Sequence, residues 1–552
     1  MSSTKALAGG TWQTVRGVFK AARQPTLDVT VAVPATALPS RTDASSRPGQ
    51  VGARPARPGE PSPGAAAVRD AVARAVAEHA AALGVPARPA VTVTVADAAR
   101  ESPRIAFAGR PARVVKAELD EALAAQGLSA GWDRGDDEAG TAAAVAIACR
   151  VAIEHDPSVL VGPDQRATLL AKARTAGVSE YDDDVLAAAL EQVVAYGMRA
   201  NDLGRLRGAL AEQTGPVRSA NELAEVAISS LGGPSIAITV NERTLRSATM
   251  NTPQPHAFIE MRQRVFNDLG ITFPDIGVKT DDGVPEGTAV VRLNDVVHTP
   301  RPLPAGACTA DIAALLEARL RAQASWFISL TEVHRTIEEM KLALPDLVSS
   351  VLDRYSEPQL CLFGRTFAAE RVPVRNVARL MVLLLDVPPP GATNDLVRLA
   401  EPTRLGDERT GRSTPGMLVS YTRQQVNEEA ARARPGLAEV PCTRLPADLD
   451  ATFSALPLSP ARVEDGVRPA DRDRLMRLAE DLLGQARPTL VAATQGSRGV
   501  ARRLLVRQYP EVAVIAAEEL PPSHQLVPAA SAPQPASTDE ALTVNGEGGV
   551  EP

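Results

Sequence analysis

The stretch from Phe258 to Leu385 constrains the fold more than any other part of this 552-residue chain. It opens with an amphipathic helical run that stops at Leu269-Gly270. It passes Pro274 into two strand-like segments, Asp275–Asp282 and Thr288–Thr299. It then turns helical again at Ser329-Leu330-Thr331-Glu332-Val333. Gly ends a helix by adopting left-handed backbone, Pro keeps the helix from resuming, and alternation of apolar and polar residues marks a strand. The order therefore predicts a small mixed sheet followed by packed helices, an α+β fold. Only 3% of residues are aromatic, so the core must be built from Ala, Val and Leu. Trp326, Phe327, Phe363 and Phe367 form the richest aromatic cluster and are assigned to the core of the helical part. Where they reach the surface they are the expected interaction residues, because aromatics dominate binding hot spots.

The same order occurs earlier in the chain, which suggests a tandem duplication. A first strand, Leu27–Ala35, is matched by Ser235–Arg243. A helix closing on Gly84 is matched by the one closing on Gly270, and both are followed by Pro, a strand, a turn with Pro and a second strand. Helices follow in each copy, Asp156–Gly197 in the first and Leu344–Asp386 in the second. In this alignment Ala176–Ser179 takes the place of Glu370–Pro373. A third module of alternating strands and helices begins near Met417.

Composition divides the chain further. Residues 38–66 hold Pro, Gly, Ser and Arg with almost no large apolar side chain, too little to offset chain entropy. The expected organisation is a flexible segment at 1–24; a first α+β and helical module at 25–222 with a disordered loop at 38–66; a second α+β module at 234–308; a helical module at 309–387; a linker at 388–416; a C-terminal α+β module at 417–522; and a disordered tail at 523–552.

Several chemistries find no support. A net charge of −7 argues against nucleic acid as a partner. No apolar run approaches the ~20 residues that span a bilayer, although Trp12, Val15, Val18 and Phe19 could form a basic amphipathic helix on a membrane surface. Cys149, Cys308, Cys361 and Cys442 lie far apart and read as inert thiols in a reducing compartment. The six histidines are dispersed, so neither a metal nor a cofactor is expected. Asp182-Asp183-Asp184 and Ser329-x-x-Glu332 read as helix starts. The one enzyme-like feature is the strand-to-helix turn Gln495–Gly499, which could cradle phosphate. It gives the alternative reading, a nucleotide- or small-ligand-binding regulatory protein.

Six or seven motifs in one collinear order carry a resemblance to a family. They are Leu330-Thr331-Glu332-Val333-His334-Arg335, Pro345-Asp346-Leu347-Val348 and Arg371–Asn376, followed by Thr422-Arg423, Cys442–Leu445, Asp448–Leu456 and a strand–helix–strand ending Glu518-Glu519-Leu520-Pro521-Pro522. The stretch from about 235 to 522 resembles the cytosolic half of the FHIPEP proteins, export gates of flagellar and type III secretion machines. The resemblance implies a non-enzymatic cytoplasmic scaffold for other proteins, linked to protein secretion and able to self-associate side by side in a ring through the helical subdomain. Two departures stand out. The family's membrane half has no counterpart in residues 1–234. The family also inserts a small subdomain after its second strand, one wall of the cleft that receives export chaperones. Here Pro300–Pro304 runs almost directly into the helix at Thr309.

Overall fold

The computed structural model describes residues 24–34, 63–96, 103–112, 114, 116–128, 138–178, 180–212, 220–251, 256–370, 372–386, 438–456, 467–482, 489–505, 509, 512–520 and 524–528. The amphipathic N-terminal segment, the linker at 388–416 and the start of the third module near Met417 fall outside them. The described residues up to Phe258, with Pro274–Leu316, form one compact unit. Ile259–Phe273, with the described residues from Glu317 onward, form a second.

In the first unit β1 (Thr26–Pro34) turns Leu27, Val29, Val31 and Val33 into the core, all fully buried, as its strict alternation requires. α1 (Pro63–Ala82) crosses over to β2 (Arg88–Ala96), which lies parallel to β1. β3 (Arg104–Phe107) returns antiparallel and hairpins into β4 (Arg110–Ala112), giving the order β2-β1-β3-β4. Residues 63–66 of the expected loop are therefore helical. Pro63 suits a first helical turn because its fixed φ is already helical and its missing N–H has no partner to lose there.

The second sheet repeats this topology. β5 (Ile236–Val240) is parallel to β6 (Ile276–Thr280) and antiparallel to β7 (Thr288–Leu293), which hairpins into β8 (Val296–Val297). A short β9 (Arg301–Pro302) also pairs with β7. Even the hairpin turns correspond. Ala108 (φ +48°) and Asn294 (φ +55°) both hold left-handed backbone, and their N–H groups donate to Asp28 O at 2.7 Å and Ser235 O at 2.8 Å. The crossover in this copy is α8 (Glu242–Asn251) and α9 (Ala257–Leu269).

The helices repeat as well. In the first copy α2 (Lys116–Ala125) leads into α3 (Glu138–His155), a 3-10 turn at Pro157–Leu160, α4 (Pro163–Thr175), α5 (Asp183–Ala195) and α6 (Leu203–Glu212). α7 (Ala220–Ser230) then leads to β5. In the second copy the series is α10 (Thr309–Ala322), a 3-10 turn at Ala324–Phe327, α11 (Leu330–Ala343), an added α12 (Pro345–Leu352), α13 (Glu357–Ala369) and α14 (Val377–Asp386).

Hydrogen bonds set the register between copies. Met198 N–H donates to Val193 O at 3.1 Å, and Val372 N–H to Phe367 O at 2.8 Å. Ala200 N–H donates to Leu83 O at 3.0 Å, and Val374 N–H to Leu269 O at 2.9 Å. The counterpart of Arg371–Asn376 is thus Gly197–Asp202, not Ala176–Ser179 and its neighbours. The sequence alignment chose the wrong stop because two consecutive helices end alike. Gly177 (φ +88°) closes α4 as Gly197 (φ +68°) closes α5, and α12 has no equivalent to keep the count.

The C-terminal part of the second unit is an all-parallel sheet, order β12-β11-β10-β13. It comprises β10 (Ala438–Arg444), β11 (Thr489–Ala492), β12 (Ala513–Ala516) and β13 (His524–Pro528). β13 lies in the segment expected to be a disordered tail. Five residues with Leu526 and Val527 at their centre suffice to extend the sheet beside β10, a backbone pairing that composition does not reveal. α15 (Ala447–Ser454), α16 (Pro469–Leu482) and α17 (Gln495–Leu505) share a core around Leu449, Phe453, Leu475 and Leu490. Buried charges tie this part to α13. Arg498, 1% exposed, pairs with Glu519 at 2.9 Å and Glu370 at 3.3 Å, and Arg502 pairs with Glu370 at 3.4 Å. Burial opposes the Arg498 charge, but the two carboxylates outweigh it and raise its pKa.

Two outcomes follow for stability. A Cβ at Gly270 would overlap the backbone N and Cα of Arg375, whereas one at Gly84 would meet mainly the Asn201 side chain, at 2.6 Å. Urea unfolding of Gly270→Ala should therefore show a loss of at least ~2 kcal/mol, from left-handed backbone plus overpacking, and a larger loss than Gly84→Ala. Glu519→Ala leaves Arg498 short of a buried partner and should cost about 3–5 kcal/mol in the same measurement.

Candidate functional site

The close approach at Gly270 shapes a groove in the second unit. Val374 and Arg375 are held on the end of α9, and the chain enters α14 from there. α14 turns Val377, Leu380, Met381 and Leu384 to one side, at i, i+3, i+4 and i+7, the stripe of an amphipathic helix. That stripe faces α11 and α13 across a cavity of about 350 Å3. Phe327, Phe363 and Phe367 line it. Phe327 meets Phe273 edge-on at 5.1 Å, and Phe363 meets Tyr355 edge-on at 5.3 Å. Gly364 leaves its place in the wall without a side chain. Arg365, 1% exposed, donates Nε–H to Ile328 O at 2.8 Å and so fixes the turn that carries Phe327.

Of the four aromatics singled out in the sequence, the structure brings three to this cavity. All four are buried, at 2–6% exposure, and Trp326 is packed without lining it. The α14 wall was missed. Its signal was present in the apolar spacing of Val-Ala-Arg-Leu-Met-Val-Leu-Leu-Leu, which reads equally well as a plain core helix.

The rim is charged: Glu332 and Glu339 both pair with Arg335, and Arg375 lines the cavity as well. Ser329 caps α11 by accepting the Glu332 N–H at 3.2 Å. The Glu332 side chain does not reach back to complete a capping box. It accepts from Thr272 Oγ1 and from Arg335, whose Nε lies at 3.2 Å. Hydrogen bonding to Arg335 holds the Glu332 carboxyl below the usual carboxylate range, and Glu332 in turn raises Arg335. These groups stay ionised through neutral pH. They suit a polar margin around an apolar floor and do not suit proton transfer.

No protein-family model and no curated protein matches the chain. Solved structures do. The CdsV protein of Chlamydia pneumoniae matches at 15% identity and TM-score 0.41, over 53% of this chain and 96% of that one. The MxiA protein of Shigella flexneri matches at 13% and 0.39, over 53% and 97%. The nonameric EscV cytosolic domain from the type III secretion system matches at 13% and 0.35, over 54% and 96%. The chain resembles the cytosolic domains of export-gate proteins. Likeness at this level concerns the fold, and the use of the groove rests on its own chemistry.

The other candidates are largely engaged by the chain's own groups. At the turn Gln495–Gly499 the helix start is already occupied. The Asp450 carboxylate accepts the Ala493 N–H at 2.9 Å, and Ser497 and Thr494 cap each other, with Ser497 N–H donating to Thr494 Oγ1 at 3.2 Å. An anion there would meet the Asp450 charge. In the first unit a cavity of about 330 Å3 lies beside Glu154 and His298. Glu154 accepts the Thr299 N–H at 2.6 Å, and Arg301 pairs with Glu118 at 3.1 Å, so the first module grips residues 298–301 of the second. His155, His298 and His334 lie beside Glu118, Glu154 and Glu357 respectively. Among the described residues no three His, Cys, Asp or Glu side chains converge as metal ligands do. None of the four cysteines is disulfide-bonded, and burial pushes the Cys149 thiol up.

Because the folded-state pKa of Glu332 is lowered, its contribution to stability is present above the ordinary carboxylate value of 4.5 and is lost as pH falls below it. Urea midpoints taken through the acid range should fall more steeply for the wild type than for Glu332→Gln, with the two curves converging at the acid end. Parallel curves would show that Glu332 is not held ionised.

Proposed function

We propose that this chain is a non-enzymatic scaffold that holds an apolar segment of another protein in the groove between α11, α13 and α14. The observation that carries this reading is the pairing of a phenylalanine floor with a rim on which Glu332, Arg335 and Glu339 are committed to one another. Apolar anchors at a buried centre with a polar margin are what a protein-docking site requires. The resemblance to export gates supports protein export as the setting, with the cytoplasm as the compartment.

We further infer self-association side by side through the helical part, as the resemblance implies. Leu342 is 90% exposed at the end of α11, and Val382 is 44% exposed on α14.

Two measurements test the reading. Val333 lines the groove at its rim, and Val333→Lys places a charge over the floor. Partners captured from the native host by the wild type should be lost by this variant while its thermal unfolding is retained. Capture of the same partners by both proteins counts against the groove. Separately, Leu342→Glu should lower the mass measured by light scattering if α11 takes part in self-association.

A further inference from the structure

The first sheet ends in a strand whose outer edge pairs with nothing among the described residues. β2 is terminal in its sheet, and its nine residues pair with β1 alone. The ladder fixes which peptide groups face outward. Arg88 donates its N–H to Pro25 O at 2.9 Å, and inward and outward peptides alternate along a parallel ladder. Val91, Val93 and Val95 therefore present N–H and C=O to the open edge. Val91 and Val93 lie opposite the buried Val29 and Val31 and share their face, while Thr92 and Thr94 are exposed on the other.

Edge strands are ordinarily guarded by charge, Pro or brevity. The equivalent edge in the second copy, β6, contains Lys279 and is flanked by Asp275 and Asp281. The opposite edge of the first sheet, β4, is three residues long and contains Pro111. β2 begins with Arg88 and Pro89 and is followed by Asp97, but from Ala90 to Ala96 it carries no charge and no Pro. Its sheet repeats the topology of the other, yet this stretch has no guard within it.

We propose that β2 is an interface between two copies of this chain, paired antiparallel across a two-fold axis into one continuous sheet. The occupant follows from the pattern of the edge. The partner strand must be extended, uncharged and alternate with the same period, and β2 itself meets each condition. Two-fold antiparallel pairing joins residues of like parity, so in every register the odd, Val-bearing positions pair only with one another and the even, Thr-bearing positions likewise. The contact is isologous and closed, since each copy spends its own open edge.

The experiment is light scattering of the full chain through a dilution series, comparing the wild type with Thr92→Lys/Thr94→Lys. Both side chains are exposed, so circular dichroism should not change. At high concentration the wild type should have twice the mass of the variant, and this ratio should survive Leu342→Glu, which separates this interface from association through the helical part. Hydrogen exchange of segment 88–96 in the wild type gives a second reading that needs no variant, and it should slow as concentration rises. Equal masses for wild type and variant, or exchange at 88–96 that ignores concentration, would overturn the proposal. A partner protein of another kind on this edge would give that same equality in the purified chain.

Discussion

One steric constraint organises both copies: a helix end closed by a glycine in left-handed backbone, against which a distant loop packs. At Leu269-Gly270 the left-handed backbone lets the Arg375 main chain lie directly against the helix terminus, and Val374 N–H closes the contact on Leu269 O. Leu83-Gly84 does the same for Ala200 and Asn201. The contact joins a helix that precedes two strands of the sheet to a loop far along the chain. It fixes where α6 and α14 begin, and in the second copy it fixes one wall of the groove.

The two copies then diverge in what they pack on this common frame. The register that pairs Val193 with Phe367 places Ala189 opposite Phe363, and the two 3-10 turns place Leu160 opposite Phe327. Aromatics are concentrated in one copy of an aromatic-poor chain, where Phe266, Phe327, Phe363 and Phe367 line a cavity. The first copy is instead joined to the second by buried polar contacts from Glu154 and Glu118 to Thr299 and Arg301.

Much of this was legible in the sequence because local rules carried it. Alternation gave β1 and β5, Gly stops gave the ends of α1 and α9, and Asp182 and Ser329 lie at the N-caps where acidic and hydroxyl side chains belong. The α+β class followed from the order of elements. What escaped depended on contacts distant in sequence. Gly177 and Gly197 look alike until Leu83 and Ala200 are seen to touch. β13 has no distinctive composition and becomes a strand only because β10 offers an edge. The groove needed three helices brought together before the apolar stripe of α14 could be told from a core face.

Amide hydrogen exchange at Ala200 and Val374 tests the frame most directly. Each N–H is held by a single bond to the end of a helix outside its own element. If the glycine-permitted contacts organise the two copies, both amides should exchange as slowly as those in the middle of α5 and α13, opening only when those helices unfold. Exchange at Val374 at the rate of an open loop, with α13 still protected, would contradict the account.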